Sequence, residues 1–494
     1  MLLEHLRIRE CLVKMLLICI IVPTFIVVAA AQGPIPTTFS NRTNLLGFSN
    51  FSGVAIGIAD MNGDGRDDIV RYNQGTDLNI QYQTTPKNFF TYEEIERVSN
   101  TSEWSTAIAD VDGNGYNDII VGGSFNNLKL LYNQDGVGEY INTTIQGSNI
   151  FIQGLNFADI DSDGLLDIFA CNDVGDSRKF RNSGNGIFSS APELINTETV
   201  PTSDNSGNYS SIWTDYDNDG DLDLYISKCK IGANSPTDPR RVNMLFQNDG
   251  NNNFTEVAAR AGLDIGAQTW TSDFADIDND GDLDVFIANH FDKNQLFINN
   301  GNGTFTDISV ISGLDAILDD ETFVIQSLFR DFNNDGYVDL LVTGFEHFLF
   351  YNNGNRTFTE APNPFGPNKI ESVAVGDLDH NGYLDIYAGY AELFTTPSRI
   401  PDEMYLNNGN GHNFIAVQVE GTASNSNGVG ARIEIYGSWG LQVREVRAGE
   451  SYGIMNTYTQ HFGLGTANSV DRICLLYTSP SPRDATLSRM PSSA

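Results

Sequence analysis

Residues 38–412 alternate between short apolar stretches and acidic or Gly/Asn-rich turns. One kind of stretch ends in Asp: V-A-I-G-I-A-D, S-T-A-I-A-D, L-N-F-A-D, S-I-W-T-D, S-D-F-A-D, S-L-F-R-D and V-A-V-G-D. A second kind begins with Asp: D-I-V-R-Y, D-I-I-V-G-G, D-I-F-A-C, D-L-Y-I-S, D-V-F-I-A-N, D-L-L-V-T-G and D-I-Y-A-G. Both are β-rich, short and bounded by Gly, Asn and Asp, which predicts two strands of a hairpin joined by an acidic loop. A third signal follows downstream, as in L-F-I-N-N-G-N-G-T-F-T from Leu296 and L-F-Y-N-N-G-N-R-T-F-T from Leu349. Each copy reads as a strand, an Asn-Gly turn and the start of a further strand. The unit therefore has four strands. Its seven copies start 50, 49, 56, 61, 55 and 46 residues apart, and no helical period separates them.

That pattern predicts an all-β chain built on a seven-bladed β-propeller over residues 38–412. A Ca²⁺-rich β-solenoid is the competing fold, but its repeats are much shorter. The segment T-T-F-S-N-R-T-N-L-L-G, residues 37–47, has the look of a fourth strand without a blade of its own. It is expected to complete the last blade and close the ring, leaving no open sheet edge. Alternation in A-R-I-E-I-Y and L-Q-V-R-E-V-R predicts a further small antiparallel β domain over residues 413–473.

The acidic loops follow D-x-D/N-x-D/N-G-x-x-D. Oxygens fall at positions 1, 3, 5 and 9, and Gly at position 6 permits a sharp turn. The seven sets are Asp60, Asn62, Asp64 and Asp68; Asp110, Asp112, Asn114 and Asp118; Asp159, Asp161, Asp163 and Asp167; Asp215, Asp217, Asp219 and Asp223; Asp276, Asp278, Asp280 and Asp284; Asp331, Asn333, Asp335 and Asp339; and Asp377, Asp379, Asn381 and Asp385. Carboxylates this dense repel one another unless a cation sits among them. An all-oxygen cage suits a hard cation, so up to seven Ca²⁺ ions are expected. Position 12, where an EF-hand needs a bidentate Glu, holds Arg71, Val121, Ala170, Ile226, Ile287, Val342 and Ala388. That excludes an EF-hand. Loops three, four and five carry four ligand-position carboxylates and the others three, so those three are expected to bind more tightly. The expected role is structural rather than sensory, because extracellular modules bind at roughly 10⁻⁴–10⁻³ M and stay loaded.

Composition narrows the partners. Sixty-four acidic against 28 basic residues give a net charge of −36. Such a surface disfavours nucleic acid and anionic membranes and favours cations. Arg7, Arg9 and Lys14 precede an uncharged run over residues 15–31 that ends in three alanines. This reads as a signal peptide over residues 1–31, giving a secreted chain with no membrane span after cleavage; an uncleaved signal anchor is the alternative, since 17 apolar residues can just span a bilayer. Of the five cysteines, Cys11 and Cys19 lie in that leader and Cys474 in the tail. Cys171 and Cys229 remain, either as a disulfide between neighbouring repeats or as two buried thiols. Eight N-x-S/T sequons, at Asn41, Asn50, Asn100, Asn142, Asn208, Asn253, Asn302 and Asn355, fit a glycoprotein.

The strand ending F-A-D, the D-x-D-x-D-G-x-x-D loop and the L-F-x-N-N-G-x-G-x-F-T tail together resemble FG-GAP/VCBS repeats, the blades of integrin α-like propellers. N-F-I-A-V-Q-V-E-G, N-G-V-G-A-R-I-E-I-Y-G, Q-V-R-E-V-R-A-G-E-S-Y-G and H-F-G-L-G-T-A resemble the ASPIC/UnbV domain. The combination is similar to the cartilage acidic protein family, and it implies a calcium-binding protein of the extracellular matrix or cell surface. After V-D-R-I the chain leaves that family's pattern, which would continue toward a Trp-Pro-x-Gly segment. Residues 474–494 lose all period, read as a non-native tail, and leave the last β domain truncated.

Catalysis is not expected. The chain has no G-x-S-x-G, H-E-x-x-H, CxxC or phosphate-cradling Gly loop, and its six histidines are scattered. The expectation is a secreted calcium-binding adhesion or matrix scaffold that binds an extracellular protein or glycan through propeller loops. A carbohydrate-binding module is the alternative, and a propeller enzyme a more distant one. The basic insert of residues 228–241, with Lys228, Lys230, Arg240 and Arg241, is either a contact for an acidic glycan or partner or a solvated loop.

Overall fold

The computed structural model describes residues 34–494 except 86–88, 201–203, 291, 320–321, 423, 478–484 and 490–494. The leader expected over residues 1–31 lies outside the described residues. Seven sheets form the blades, six of them built on four consecutive antiparallel strands. In the second, Glu103–Ala109 pairs with Asp118–Gly123, which pairs with Lys129–Asn133 and then Tyr140–Thr144. The last sheet is completed from the other end of the chain. Ser372–Gly376, Asp385–Gly389 and Glu403–Asn407 are joined by Phe39–Asn41, with Phe39 opposite Asn407. The ring therefore closes as the unpaired N-terminal strand suggested.

The innermost strands Glu103–Ala109, Ile152–Ala158, Asn208–Thr214 and Thr269–Ala275 are buried along their whole length. They have neighbours on both faces, so the alternation expected of a half-wet strand is absent. Outer strands such as Tyr140–Thr144 are mostly exposed. Blades two to six share a register shift near the start of the innermost strand, as between Glu103 and Ser105. Such a bulge bends the strand and increases its local right-handed twist.

The C-terminal domain has two three-stranded sheets. Asn413–Gly421 pairs with Gln460–Gly465 and Ala485–Arg489, and Ala431–Gly437 pairs with Gly440–Glu445 and Arg472–Tyr477. The expected boundary at residue 473 falls inside the strand Arg472–Tyr477. Ile473 and Leu475 carry that strand onward because they pack against the same apolar core as Ile433 and Ile435. That core is continuous with Ile108, Ile120, Leu155 and Phe157 of the propeller.

Between its two sheets the domain sends residues 446–458 into the propeller channel, where they touch the innermost strand of every blade. Ile454 and Met455 pair in parallel with Ile56 and Gly57 of blade one. Thr106 of blade two donates to Gly453 O, and Phe157 of blade three to Ala448 O at 2.9 Å. Arg447 reaches Thr214 of blade four at 3.4 Å and Asp273 of blade five at 3.0 Å. Ser451 donates to Ser327 O of blade six, and Asn456 accepts from Val375 N of blade seven at 2.8 Å. Tyr452, Ile454 and Met455 are fully buried there. Each such side chain stabilises the fold by about 1.5–3 kcal/mol.

The remaining question over the cysteines is resolved by geometry. Cys171 and Cys229 are both free, buried thiols. Cys171 lies 3.4 Å from Ser211 Oγ and Cys229 3.6 Å from His290 Nδ1, so they face different neighbours.

Candidate metal centres

Each acidic loop joins the first and second strands of a blade and is wound tightly by its own backbone. The position-6 glycines Gly65, Gly115, Gly164, Gly220, Gly281, Gly336 and Gly382 all have φ between 79° and 98°. A Cβ is strained in that region, which is why glycine stands there. The turn brings the glycine N–H onto one oxygen of the position-1 Asp, at 2.6–3.1 Å in all seven loops. The other oxygen accepts from the position-5 N–H, at 2.9–3.2 Å.

The position-9 Asp performs a separate task. One of its oxygens accepts from a backbone N–H at the end of the blade's third strand. The donors are Gln83, Asn133, Asn182, Asn248, Asn299, Asn352 and Asn407, at 2.7–3.0 Å. The asparagine side chains then cross to the preceding blade. Asn133, Asn182, Asn299, Asn352 and Asn407 donate to Met61, Val111, Tyr216, Ile277 and Phe332 O, at 2.7–3.0 Å. Each acceptor is position 2 of the neighbouring acidic loop. The N-N-G signal marked a hairpin turn in the sequence; its link between blades depends on spatial adjacency that no local pattern shows.

Ligand-type carboxylates converge in five loops. Asp110, Asp112 and Asp118; Asp159, Asp161 and Asp163; Asp215, Asp217 and Asp223; Asp276, Asp278 and Asp284; and Asp377, Asp379 and Asp385 each offer oxygens mutually within 4.8 Å. Loops one and six have an Asn at position 3, Asn62 and Asn333, in place of one carboxylate.

Burial is the largest influence on these acids and pushes them toward the neutral form on protein contacts alone. Asp159, Asp215, Asp276 and Asp331 rise to about 7, Asp118, Asp167 and Asp377 to about 8, and Asp223 to about 10. Neighbouring aspartates add to the rise. A cation among the oxygens reverses it.

Several loop oxygens are left unpaired by the protein. Asp161 Oδ1, Asp217 Oδ1 and Asp278 Oδ1, all at position 3, are buried with no hydrogen-bond partner among the described residues, as are Asp167 Oδ2 and Asp221 Oδ1. Buried carboxylate oxygens are costly unless something pairs with them. These orphans fall in loops three, four and five, the three with four ligand carboxylates, and the residues fit a hard divalent cation. Arg181 bonds Asp161 at 2.7 Å in loop three, and Arg356 of blade six bonds Asp278 in loop five. Among the described residues no Lys or Arg forms such a pair with the ligands of loop four. Loop four thus has the least compensated charge.

The C-terminal domain rests on this same face. Ser426 Oγ donates to Asp110 Oδ2 at 2.8 Å, Gly463 N to Asp331 Oδ2 at 3.2 Å and Arg432 to Gly281 O at 2.6 Å, while Glu445 accepts from Asp215 N. The opposite face carries the other blade loops. Its central aromatic cluster includes Trp104, Tyr209, Trp270 and Tyr452, with Phe394 set against both tryptophans. Phe125, Phe345 and Leu393 are exposed around it. The basic insert of residues 228–241 lies on that face with its cations already engaged. Lys228 bonds Thr199, Lys230 bonds Asp173, Arg240 bonds Asp238 and Arg241 bonds Asp292. His290 packs between Trp270 and Phe323, and His347 is half-buried beside Phe365.

A closed ring of seven four-stranded sheets with an acidic hairpin loop in each blade defines a repeat propeller. Residues 110–170, 159–226, 232–287, 276–342 and 331–388 match the FG-GAP-like repeat, and the chain belongs to that family. Residues 421–492 match the ASPIC and UnbV domain. Cartilage acidic protein 1 of Mus musculus is 26% identical over 258 residues, covering 46% of this chain and 37% of the mouse protein. Its Xenopus tropicalis counterpart is 33% identical over 116 residues, covering 22% of this chain and 18% of the relative. The chain thus matches well under two thirds of either relative's length. Among solved structures, an Agrocybe aegerita lectin that recognises non-reducing terminal N-acetylglucosamine aligns with a TM-score of 0.41 at 20% identity, over 65% of this chain and 79% of the lectin. The WD40 β-propeller domain of Doa1 aligns with a TM-score of 0.42 at 10% identity, over 76% and 96%.

Proposed function

We propose that this chain is a secreted, calcium-loaded adhesion or matrix scaffold whose ligand binds on the face away from the C-terminal domain. The observation that carries the calcium part is the set of orphaned buried oxygens on Asp161, Asp217 and Asp278. Each occupied loop stabilises the folded state by mass action. Free Ca²⁺ at ten times the dissociation constant contributes about 1.4 kcal/mol per site. The similarity to cartilage acidic protein 1 supports an extracellular setting.

Calcium acts as a staple in this reading, not as a reactant. The loop carboxylates are committed to holding their turns, and we infer a binding role rather than catalysis. The acidic-loop face is taken up by the C-terminal domain, so ligand recognition falls to the opposite loops. A carbohydrate ligand is the second reading, supported by the Phe125 ring exposed there, since it offers flat apolar surface. The test is a matrix pull-down and a glycan array, each with Ca²⁺ and with EGTA. Calcium-dependent capture of a matrix protein that is lost in Phe125→Ser/Phe345→Ser supports the scaffold. Capture that survives both EGTA and that double substitution removes it.

A further inference from the structure

Four of the eight sequons fall into two opposed groups in the folded chain. Asn50 and Asn208 are 3% and 0% exposed. Asn50 Nδ2 donates to Ser52 Oγ at 2.8 Å and Asp402 Oδ2 at 3.1 Å, and Asn208 Nδ2 donates to Ser177 Oγ at 2.9 Å from the innermost strand of blade four. Asn302 and Asn355 are exposed, in the third-to-fourth-strand turns of blades five and six. In both, the side-chain carbonyl is held by the residue two places on. Asn302 Oδ1 accepts from Thr304 N at 3.1 Å and Thr304 Oγ1 at 2.7 Å, and Asn355 Oδ1 from Thr357 N at 3.2 Å and Thr357 Oγ1 at 2.6 Å. That arrangement fixes the carboxamide through its oxygen and turns Nδ2 toward solvent.

We propose that Asn302 and Asn355 carry N-linked glycans in the folded protein and that Asn50 and Asn208 do not. The inference rests on the secreted reading above. The transfer takes an oligosaccharide from a lipid diphosphate donor. The Nδ2–C1 bond forms, the C1–O bond to the diphosphate breaks, and Nδ2 loses one proton. Transfer precedes folding, so the folded structure decides which products survive. A sugar on Asn302 or Asn355 projects from a solvated turn whose Asn–Thr bonds use the oxygen and are kept. A sugar on Asn208 would have to replace the Ser177 contact inside a fully buried strand, and one on Asn50 would break the bonds to Ser52 and Asp402. Chains modified there do not reach the native state.

The sites sort further by sequence. Both acceptors have Thr at the third sequon position, and both excluded sites have Ser. Arg356, next to Asn355, bonds Asp278 of blade five's acidic loop. This places one glycan beside a metal cage, at the seam between two blades.

The test expresses the full chain in cultured insect cells, once with its own leader and once behind a heterologous signal sequence. Occupancy is read by peptide mapping after peptide-N-glycosidase F in ¹⁸O water, which marks each formerly glycosylated Asn as Asp. Folded protein from the medium is expected to be labelled at Asn302 and Asn355 and unlabelled at Asn50 and Asn208, and Asn302→Gln/Asn355→Gln should remove both marks. Unlabelled Asn302 or Asn355, or a labelled Asn50 or Asn208, overturns the assignment. Failure of the chain's own leader to deliver protein to the medium counts against the secreted reading alone, because the heterologous leader still reports occupancy.

Discussion

At the scale of single residues, the position-9 aspartate and the third-strand asparagine form one unit. Asp284 accepts from Asn299 N, and Asn299 Nδ2 spans to Tyr216 O at 2.8 Å and to Leu283 O at 3.2 Å. Truncating Asn299 leaves two buried carbonyls without that partner. Asn299→Ala should therefore cost about 1–3 kcal/mol, read as a lower melting temperature in saturating Ca²⁺. Asn248 donates only to Leu222 O of its own blade, so Asn248→Ala should cost less. The acids themselves set a pH dependence. On protein contacts alone Asp159, Asp215 and Asp276 sit at about 7 and Asp118 and Asp167 at about 8, against 3.8 ordinarily. The metal-free folded chain thus holds protons that the unfolded chain releases. Its stability contribution from these groups is full below pH 3.8 and is lost as pH rises through 7–8. Metal-stripped protein should melt lower at pH 8 than at pH 6, and added Ca²⁺ should raise the melting temperature more at pH 8. A metal-stripped protein that melts higher at pH 8 contradicts this assignment.

At the scale of elements, the segment 446–458 is the piece whose loss matters most. Its Arg447 lies between Asp273 at 3.0 Å and Glu445 at 2.8 Å, and Glu450 pairs with Arg330 of blade six. All are largely buried. Removing one partner of a buried pair leaves an uncompensated charge, so Arg447→Ala should cost about 3–5 kcal/mol. Arg447→Lys should recover part of that, since one cation is kept but its fork is lost. Loop four provides a second comparison between elements. Asp219→Asn removes a ligand charge from the cage with the least arginine compensation. Calcium titration should show one of the tightest sites weakening, whereas Asp335→Asn in loop six should affect a weaker site.

The hairpin elements were legible because each acidic loop is local. Gly281 and Asp276 lie within five residues, and strands such as Asp284–Asn289 declare themselves by β-branched and aromatic runs. The plug was not legible. A-G-E-S-Y-G-I-M-N has no period, and its partners are Thr106, Phe157, Asp273, Ser327 and Val375, more than 75 residues away in sequence. Such a segment takes its shape from the channel that receives it, and only the closed ring supplies that channel.

At the scale of the whole molecule, one face carries the acidic loops and the C-terminal domain, and the other carries the aromatic centre and free loops. The seven copies, their order and the closing strand could be read from the sequence because repetition multiplies a weak signal. The covering of the acidic face could not be read, because contacts such as Ser426–Asp110 and Arg432–Gly281 join separate domains. Calcium held in these loops would therefore act on the ring and on the seat of the C-terminal domain together. Chelation should lower the melting temperature of the full chain in a single transition that includes both parts. Two well-separated transitions would show that the domain does not share the propeller's core.

In the proposed reading the seven acidic loops are calcium cages. Equilibrium dialysis of metal-stripped full-length protein against ⁴⁵Ca²⁺ at extracellular concentration counts the ions directly. Close to seven ions per chain are expected, with loops three, four and five filling first. Fewer than three ions per chain at saturation would contradict it, because even the loops with orphaned buried oxygens would then be without a cation.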